Sequence, residues 1–420
     1  MLDVKFIREN IELVKENSAR KNEKPNINRF IELDAKRRNI IQESQDLKNE
    51  RNVVSKEIAD LKKKKLDAET KIAEMKLVSE KIKVLDDDLR IVEEEIQTLA
   101  LYIPNMLHES VPTGKTSQDN IQIRSWGEPK IFDKKIDHIE ISKKLGIIDF
   151  ERGAKVTGSG FAFYVGKGAA LERALINFML EFHIETNGYT EIMAPLMVTP
   201  DSARRTGQLP KMEEDMYYVE KDNFYLIPTA EVPITNYFAD EMLRYEDLPL
   251  RFVGYTPCFR REAGSYGKET RGFLRVHQFN KVELVKFVAP ERSYDELESI
   301  TFNAETILQL LGLSYRVMLL CSGDTSFSSA KTYDIECWSP VEQSWLEVSS
   351  CSNFEDFQAR RANIRFKRNS QAKPEFVHTL NGSGLATSRV IVAILEQFYD
   401  GEKLFVPEPL RKFTGFDYIK

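Results

Sequence analysis

Residues 259–283, FRREAGSYGKETRGFLRVHQFNKVE, decide how the rest of the chain is read. The run predicts a strand, a polar loop with glycines at 264, 267 and 272, and a returning strand. Side chains alternate across a strand, so Arg260 and Glu262 fall on one face of the first strand and Arg261 on the other. On the return, Phe273, Arg275, His277, Phe279, Lys281 and Glu283 share a face, and Leu274, Val276, Val282 and Leu284 share the opposite one. A β-surface carrying guanidiniums, an aromatic ring and carboxylates is a poor core. It suits a ligand that combines phosphates, a flat base and an amine. The same pattern also fits a solvated hairpin held by cross-strand charged pairs.

Around this stretch lies a chain of 420 residues, long enough for two or three domains. Hydrophobic residues make up 42% and charged residues 30%, with a net charge of −6. That balance carries no global signal for nucleic acid, so such a partner must be met by a local basic patch. The four cysteines, Cys258, Cys321, Cys337 and Cys351, form no CxxC pair, which argues against zinc and redox motifs. No run approaches the roughly eighteen apolar residues of a membrane span, and the start, MLDVKFIRENIELV, lacks the apolar core of a signal peptide. A cytoplasmic protein with reduced thiols is the expectation.

Residues 3–20 predict one short amphipathic helix with Asp3 as its N-cap. From Asn28 to Ile103 the chain contains neither Gly nor Pro. Leu33, Ile40, Leu47, Val54 and Leu61 recur every seven residues, as do Met75, Ile82, Leu89, Ile96 and Ile103. Val78, Leu85, Val92 and Leu99 add the second seam position of the later half, the signature of a coiled coil. The heptad phase runs unbroken from Leu61 to Met75, so periodicity alone allows a single rod. The near-equal halves, and the polar companions of the first seam, favour an antiparallel hairpin turning near KKKKLDAET. Each arm of about 35 residues would extend roughly 50 Å. Lys62, Lys63, Lys64, Lys65, Lys71 and Lys76 crowd the tip. They suit a phosphate backbone, although a charge run of this kind also serves as a solvated coiled-coil surface.

Pro104 ends the arm, giving an N-terminal domain of residues 1–104 and a second domain of 105–420, entered through a connection at 105–130. GKT at 114–116 lacks the preceding glycine, strand and helix of a phosphate-binding loop. Helices are predicted over 170–185, 294–311 and 390–398. Strands are predicted in YTEIMAP and over 224–227, 251–255, 315–320, 332–336 and 345–350. Hairpins and long excursions join them in place of regular βαβ units, so the body reads as α+β with a mainly antiparallel sheet flanked by helices.

Several motifs now coincide: FRREAG at 259–264, TRGFLRVHQFNKVE at 270–283, TAE at 229–231, EVSSCSNFEDFQARR at 347–361 and NGSGLATSR at 381–389. With the coiled coil before them, they resemble the signature of bacterial-type seryl-tRNA synthetases, members of the class II aminoacyl-tRNA synthetases, over essentially the whole chain. Residues 188–195 resemble motif 1 of that class, 259–283 motif 2 and 384–389 motif 3. One departure is Ser388, where the family commonly has Gly before the motif 3 arginine.

The resemblance implies ATP-dependent activation of L-serine to seryl-adenylate, and transfer to tRNA(Ser), and to tRNA(Sec) where a cell has one. The amino acid's own carboxylate is the nucleophile, so the chemistry needs positioning and positive charge around a crowded phosphate rather than a protein nucleophile. It implies that Arg260 bridges the α-phosphate and the substrate carboxylate, and that Arg260, Arg389 and Glu347 carry catalysis. Arg261, Glu262, Arg275, Val276 and Phe279 would bind ATP, as would the run Glu347, Val348, Ser349 and Ser350, with Arg275 and Arg389 on the terminal phosphates. Glu347 and Ser350 supply oxygens suited to Mg²⁺. For L-serine it implies Thr229, Ala230, Glu231, Arg260, Glu283 and Ser383. Of these, Thr229 and Glu231 would take the ammonium, and Glu283 and Ser383 the hydroxyl. A homodimer through motif 1 is implied, as is an approach of Lys268 and Arg271 to the tRNA acceptor end. The alternatives at this stage are a catalytically inactive, synthetase-like RNA-binding protein and a structural coiled-coil protein.

Overall fold

The run without glycine or proline folds as two long helices, α1 (Ile27–Lys63) and α2 (Glu69–Ala100). The Asn26 side chain caps α1 by accepting from the Arg29 N–H. The helix stops where Lys65 takes a left-handed φ of 53°, and Asp67 then accepts from the Glu69 N–H at 2.9 Å to open α2. The turn therefore falls inside KKKKLDAET, and the run is a hairpin. Ion pairs across it fix the direction: Arg29 meets Glu95, Arg37 meets Glu93, Lys48 meets Asp86 and Glu57 meets Lys71. Numbers climb along α1 as they fall along α2, so the helices are antiparallel. Leu33, Ile40, Met75, Ile82, Leu85, Val92 and Ile96 fill the seam. The polar companions on α1 reach across it, as when Ser44 donates to Asp86 at 3.2 Å. Exposed pairs of this kind contribute only about 0–1 kcal/mol each, so the apolar seam stabilises the hairpin and the pairs select its register. The single helix expected over 3–20 is instead two, Val4–Glu9 and Ile11–Arg20, interrupted at Asn10.

This computed structural model describes residues 1–132, 136–263 and 272–420, so Lys268 and Arg271 lie outside the described residues. The chain divides into two compact units: one comprises Leu2–Ala19 and Glu23–Pro104, the other Met1, Arg20–Asn22 and Asn105–Lys420.

The larger unit is built on an eight-stranded sheet. Its strands are β1 (Ile121–Trp126), β2 (Thr190–Glu191), β3 (Leu250–Phe259), β4 (Gln278–Val288), β5 (Tyr315–Leu319), β6 (Lys331–Ser339), β7 (Ser344–Asn353) and β8 (His378–Ala386). They run in the order β1-β5-β6-β7-β8-β4-β3-β2. Every pairing is antiparallel except β2 on β3. Helices α3 (Lys167–Glu185), α4 (Ser293–Leu311) and α5 (Thr387–Phe398) pack on it, giving an α+β unit. α4 closes at Gly312 in the left-handed conformation, and buries Leu297, Ile300, Ala304, Ile307 and Leu308.

Alternation along β8 sets the site. A Cβ on Gly382 would lie 2.9 Å from Cys351 Sγ and 3.1 Å from Ile300 Cγ1, and one on Gly384 would lie 3.0 Å from His183 Nε2. These positions are thus pressed against α4 and α3. Asn381 and Ser383 point the other way. β4 shows the same division: Val282 and Leu284 belong to the core, while Phe279 and Lys281 face the cavity described below.

Two local expectations change. β3 ends at Phe259, so 260–263 leave the sheet. Glu262 has a φ of 51°, and the Arg261 N–H donates to Asp215 O at 2.8 Å. The returning strand starts at Gln278 rather than Phe273. Gly272, at a φ of 60°, turns the chain so that Phe273 is buried between Phe150 and Tyr164 and its N–H donates to His138 Nε2 at 3.2 Å. Strand parity therefore does not hold over 273–277. Leu274 and Val276, assigned to the far face, line the cavity. The strand expected in YTEIMAP shortens to the two residues of β2.

Candidate active site

A cavity of about 430 Å³ lies on the face of β4 and β8 turned away from α3 and α4. Its wall brings together segments far apart in sequence, because β3, β4, β8 and β7 are adjacent in the sheet while the connection before β3 supplies Thr229 and Glu231.

One part of the wall is a dense hydrogen-bonded cluster of carboxylates and their donors. Glu231 opens the short helix Glu231–Thr235 and is buried. Its Oε1 accepts from Gln358 Nε2 at 2.6 Å and its Oε2 from Asn381 Nδ2 at 3.0 Å. Thr379 Oγ1 donates to Gln358 Oε1 at 2.7 Å, which fixes that amide's orientation. Glu283, on β4, is fully buried. It forms an ion pair with Lys281 and accepts from Thr229 Oγ1 at 3.1 Å and from Asn381 Nδ2 at 3.2 Å. Lys281 Nζ also donates to Thr229 Oγ1 at 2.8 Å. Burial, and after it the neighbouring Glu283 carboxylate, push Glu231 up to about 7; the Gln358 hydrogen bond, Lys281 and Arg260 hold it from rising further. A desolvated carboxylate poised at neutrality is a receptor for a compact cation, whose arrival favours the ionised form.

The rest of the wall is cationic and aromatic. Arg260 lies over the Phe279 ring, 5.2 Å from its centroid, and its Nε donates to Pro228 O at 3.3 Å. The backbone of Arg260 is tied to His277 from both sides, N–H to His277 O at 2.9 Å and O to His277 Nδ1 at 3.0 Å. Arg275 donates to Glu262 at 2.9 Å. Arg389, in the first turn of α5, donates to Glu347 O at 2.7 Å and to Leu274 O at 3.3 Å, and its guanidinium stands 3.5 Å from the Glu347 carboxylate. Three guanidiniums around an aromatic face suit an anion bearing several phosphates and a planar base.

Of the residues singled out in the sequence, the cavity is lined by Thr229, Glu231, Arg260, Glu262, Arg275, Val276, Phe279, Glu347, Val348, Ser349, Ser350, Ser383 and Arg389. Three others stand apart from it. Ala230 is buried behind the wall. Glu283 reaches the cavity only through Lys281, Thr229 and Asn381, which line it. Arg261 is exposed and does not line it. Sequence reasoning left Lys281 and Asn381 without roles, although both share a strand face with residues it did assign. Gln358, which holds Glu231, gave no such signal, because only the fold brings it there.

Residues 216–398 match the tRNA synthetase class II core domain (G, H, P, S and T), and residues 1–107 match the seryl-tRNA synthetase N-terminal domain. The chain is 59% identical over 418 residues to a serine--tRNA ligase of Geobacillus sp. (strain WCH70), with 99% of each chain covered. It is 53% identical over 429 residues to one of Chlorobium phaeobacteroides (strain DSM 266 / SMG 266 / 2430), covering 100% of this chain and 99% of the relative. Its fold matches the crystal structure of seryl-tRNA synthetase from Pyrococcus horikoshii complexed with ATP, with a TM-score of 0.94 at 38% identity, over 100% of this chain and 99% of that one.

Proposed function

The chain belongs to the seryl-tRNA synthetase family of the class II aminoacyl-tRNA synthetases, and from that premise we propose how its own residues perform the reaction. The activity is that of a serine–tRNA ligase: ATP and L-serine give seryl-adenylate and pyrophosphate, and the seryl group then passes to tRNA(Ser). In our reading the serine ammonium sits at Glu231 and Thr229. Its hydroxyl meets Ser383, whose register partner across β8 and β4 is Glu283. Arg260 lies between the serine carboxylate and the α-phosphate, so the attacking oxygen and the phosphorus are drawn together by one guanidinium. Phe279 stacks on the adenine, Glu262 and the Val276 backbone border it, and Arg275 and Arg389 take the terminal phosphates as pyrophosphate leaves. Preorganised cations around a phosphorus that gathers negative charge contribute most of the rate.

The observation that carries this reading is the junction within one cavity of the buried Glu231 cluster and the three guanidiniums. Serine selection follows from the same geometry. A site whose polar groups are paired by a hydroxyl rejects an analogue lacking it by on the order of 10⁴ or more. Serine-dependent exchange of pyrophosphate into ATP tests the assignment. Serine should support exchange and alanine should not; exchange with another amino acid but not with serine would overturn it.

We further propose Mg²⁺ as the metal. Glu347 and Ser350 line the cavity, and Asp334, the half-buried register partner of Ser350, has a buried Oδ1 that lacks a hydrogen bond among the described residues, so the donors present are the hard oxygens this ion prefers. Among the described residues no group of three or more His, Cys, Asp or Glu could hold a metal, which suits an ion held mainly by phosphates. When bound it supplies charge neutralisation at the phosphates. The two-domain division at 104/105 belongs to the same reading. The α1–α2 hairpin is proposed to grip tRNA(Ser), and tRNA(Sec) where present, by shape. A homodimer through motif 1, residues 188–195, is supported by the edge strand β2 and by the exposure of Met193 (92%). A cytoplasmic location accords with four buried free thiols.

A further inference from the structure

Glu172, on α3, lies outside the cavity described above, yet its carboxylate ties together two segments that border it. The residue is buried, with 5% of its surface exposed. Its Oε1 accepts from Asn280 Nδ2 at 2.8 Å and from Thr387 Oγ1 at 2.5 Å. Tyr255 OH donates to Asn280 Oδ1 at 3.1 Å, so the Asn280 amide is held with its nitrogen toward Glu172. The Thr387 hydroxyl is also 3.1 Å from Asn280 O. Three elements, α3, β4 and α5, therefore meet at one oxygen.

The placement of the two donors gives this oxygen its meaning. Asn280 stands on β4 between Phe279 and Lys281, whose side chains line the cavity, and Thr387 opens α5 two residues before Arg389. The separation between the ring of Phe279 and the guanidinium of Arg389 is thus set partly from behind the sheet. Packing alone does not call for a carboxylate here, since burying one costs several kcal/mol that hydrogen bonds must offset. An apolar side chain could fill the same space. On the reading that Phe279 and Arg389 bind ATP, we propose that Glu172 is a positioning residue for the nucleotide, holding the start of α5 against β4 without touching either substrate.

The test is pyrophosphate exchange by the full chain, with KM measured separately for ATP and for serine. Losing both bonds should raise KM for ATP about tenfold or more in E172A and leave KM for serine within about twofold. E172Q keeps an oxygen acceptor for both donors and should remain within about threefold of the parent. T387V removes one of the two donors at almost constant volume, so it reads the same link even if E172A fails to fold. It should show the same ATP-selective rise. Unchanged KM for ATP in folded E172A or T387V, or an equal rise for both substrates, overturns the proposal. R389A separates the two layers of argument. If R389A leaves KM for ATP unchanged, the nucleotide assignment itself fails; if R389A is impaired and the Glu172 and Thr387 variants are not, only the positioning role fails.

Discussion

Glu231 and Glu283 share a single donor: Asn381 Nδ2 lies 3.0 Å from Oε2 of the first and 3.2 Å from Oε1 of the second. Two carboxylates in one dry pocket repel unless charge arrives between them. Here Lys281 serves Glu283, while Glu231 is left with neutral amides. That asymmetry makes Glu231 the member able to accept a second cation, and makes its ionisation depend on whether one is bound.

The first prediction concerns pH. Glu231 is raised to about 7, so in the free enzyme its charged form predominates only above that value. Below it, kcat/KM for serine should fall about tenfold per pH unit, while KM for ATP stays level. The linkage to folding has the matching sign. A carboxyl raised in the folded state favours that state most at low pH, and this contribution is lost as pH climbs from the ordinary carboxylate range to about 7. Serine should therefore raise the melting temperature more at pH 8 than at pH 6. Asn381→Ala removes a donor from Glu231 and should move the inflection to higher pH. A serine profile that stays flat from pH 6 to 8 contradicts the role given to Glu231.

The second prediction follows from the helix-facing glycines of β8. In Gly382→Ala the added methyl meets Cys351 Sγ at 2.9 Å and Ile300 at 3.1 Å and 3.2 Å. Overpacking of this kind costs about 1–3 kcal/mol. It also displaces the strand that carries Asn381 and Ser383. The variant should melt at a lower temperature and show a higher KM for serine than for ATP relative to the parent. A stability and serine KM equal to the parent's would mean that α4 yields more easily than its packing implies.

How much of this could be read beforehand differs from element to element. The heptads at Leu33 and Met75 announce a coiled coil, and only its near-equal halves and polar companions favour a hairpin, because the turn carries neither Gly nor Pro. Lys65 is held at a left-handed φ that costs an L-residue roughly 1–2 kcal/mol, so local propensity pointed elsewhere. Alternation placed Phe279 and Lys281 on the cavity side because β4 is a regular strand there. It failed at Leu274 and Val276 because Gly272 and the burial of Phe273 take that segment out of the ladder. The link from Gln358, inside the motif at 347–361, to Glu231 could not be read, nor could Glu172. Each acts through partners more than a hundred residues away, and nothing local identifies those partners.

Arg260→Ala supplies the third prediction. The guanidinium is held over Phe279 and against Pro228 O, and its backbone is locked to His277, so truncation should leave the surrounding chain in place. What is lost is the charge between nucleophile and phosphorus. Removing one such transition-state donor costs about 3–4 kcal/mol, or on the order of 10²–10³ in kcat, and a full positive charge costs more. Exchange should fall to background while the melting temperature stays close to the parent's. Near-normal turnover would refute the placement of the reacting phosphorus beside Arg260.

The last prediction separates the two units. The α1–α2 hairpin is stabilised by its own apolar seam, and among the described residues the cavity is lined by ones beyond 206. Replacing residues 28–103 by a short linker should therefore leave serine-dependent pyrophosphate exchange within a few-fold of the parent. Charging of tRNA(Ser) should collapse, because a grip that depends on phosphate contacts along the hairpin is gone. Salt distinguishes this from a general loss of fold. In the intact protein, KM for tRNA should rise steeply with ionic strength, whereas exchange should respond little. Neutralising Lys62, Lys63, Lys64 and Lys65 together should flatten the salt dependence of tRNA charging without altering exchange. Efficient transfer by the truncated protein, or a tRNA KM indifferent to salt, would show that the hairpin is not where the nucleic acid is held.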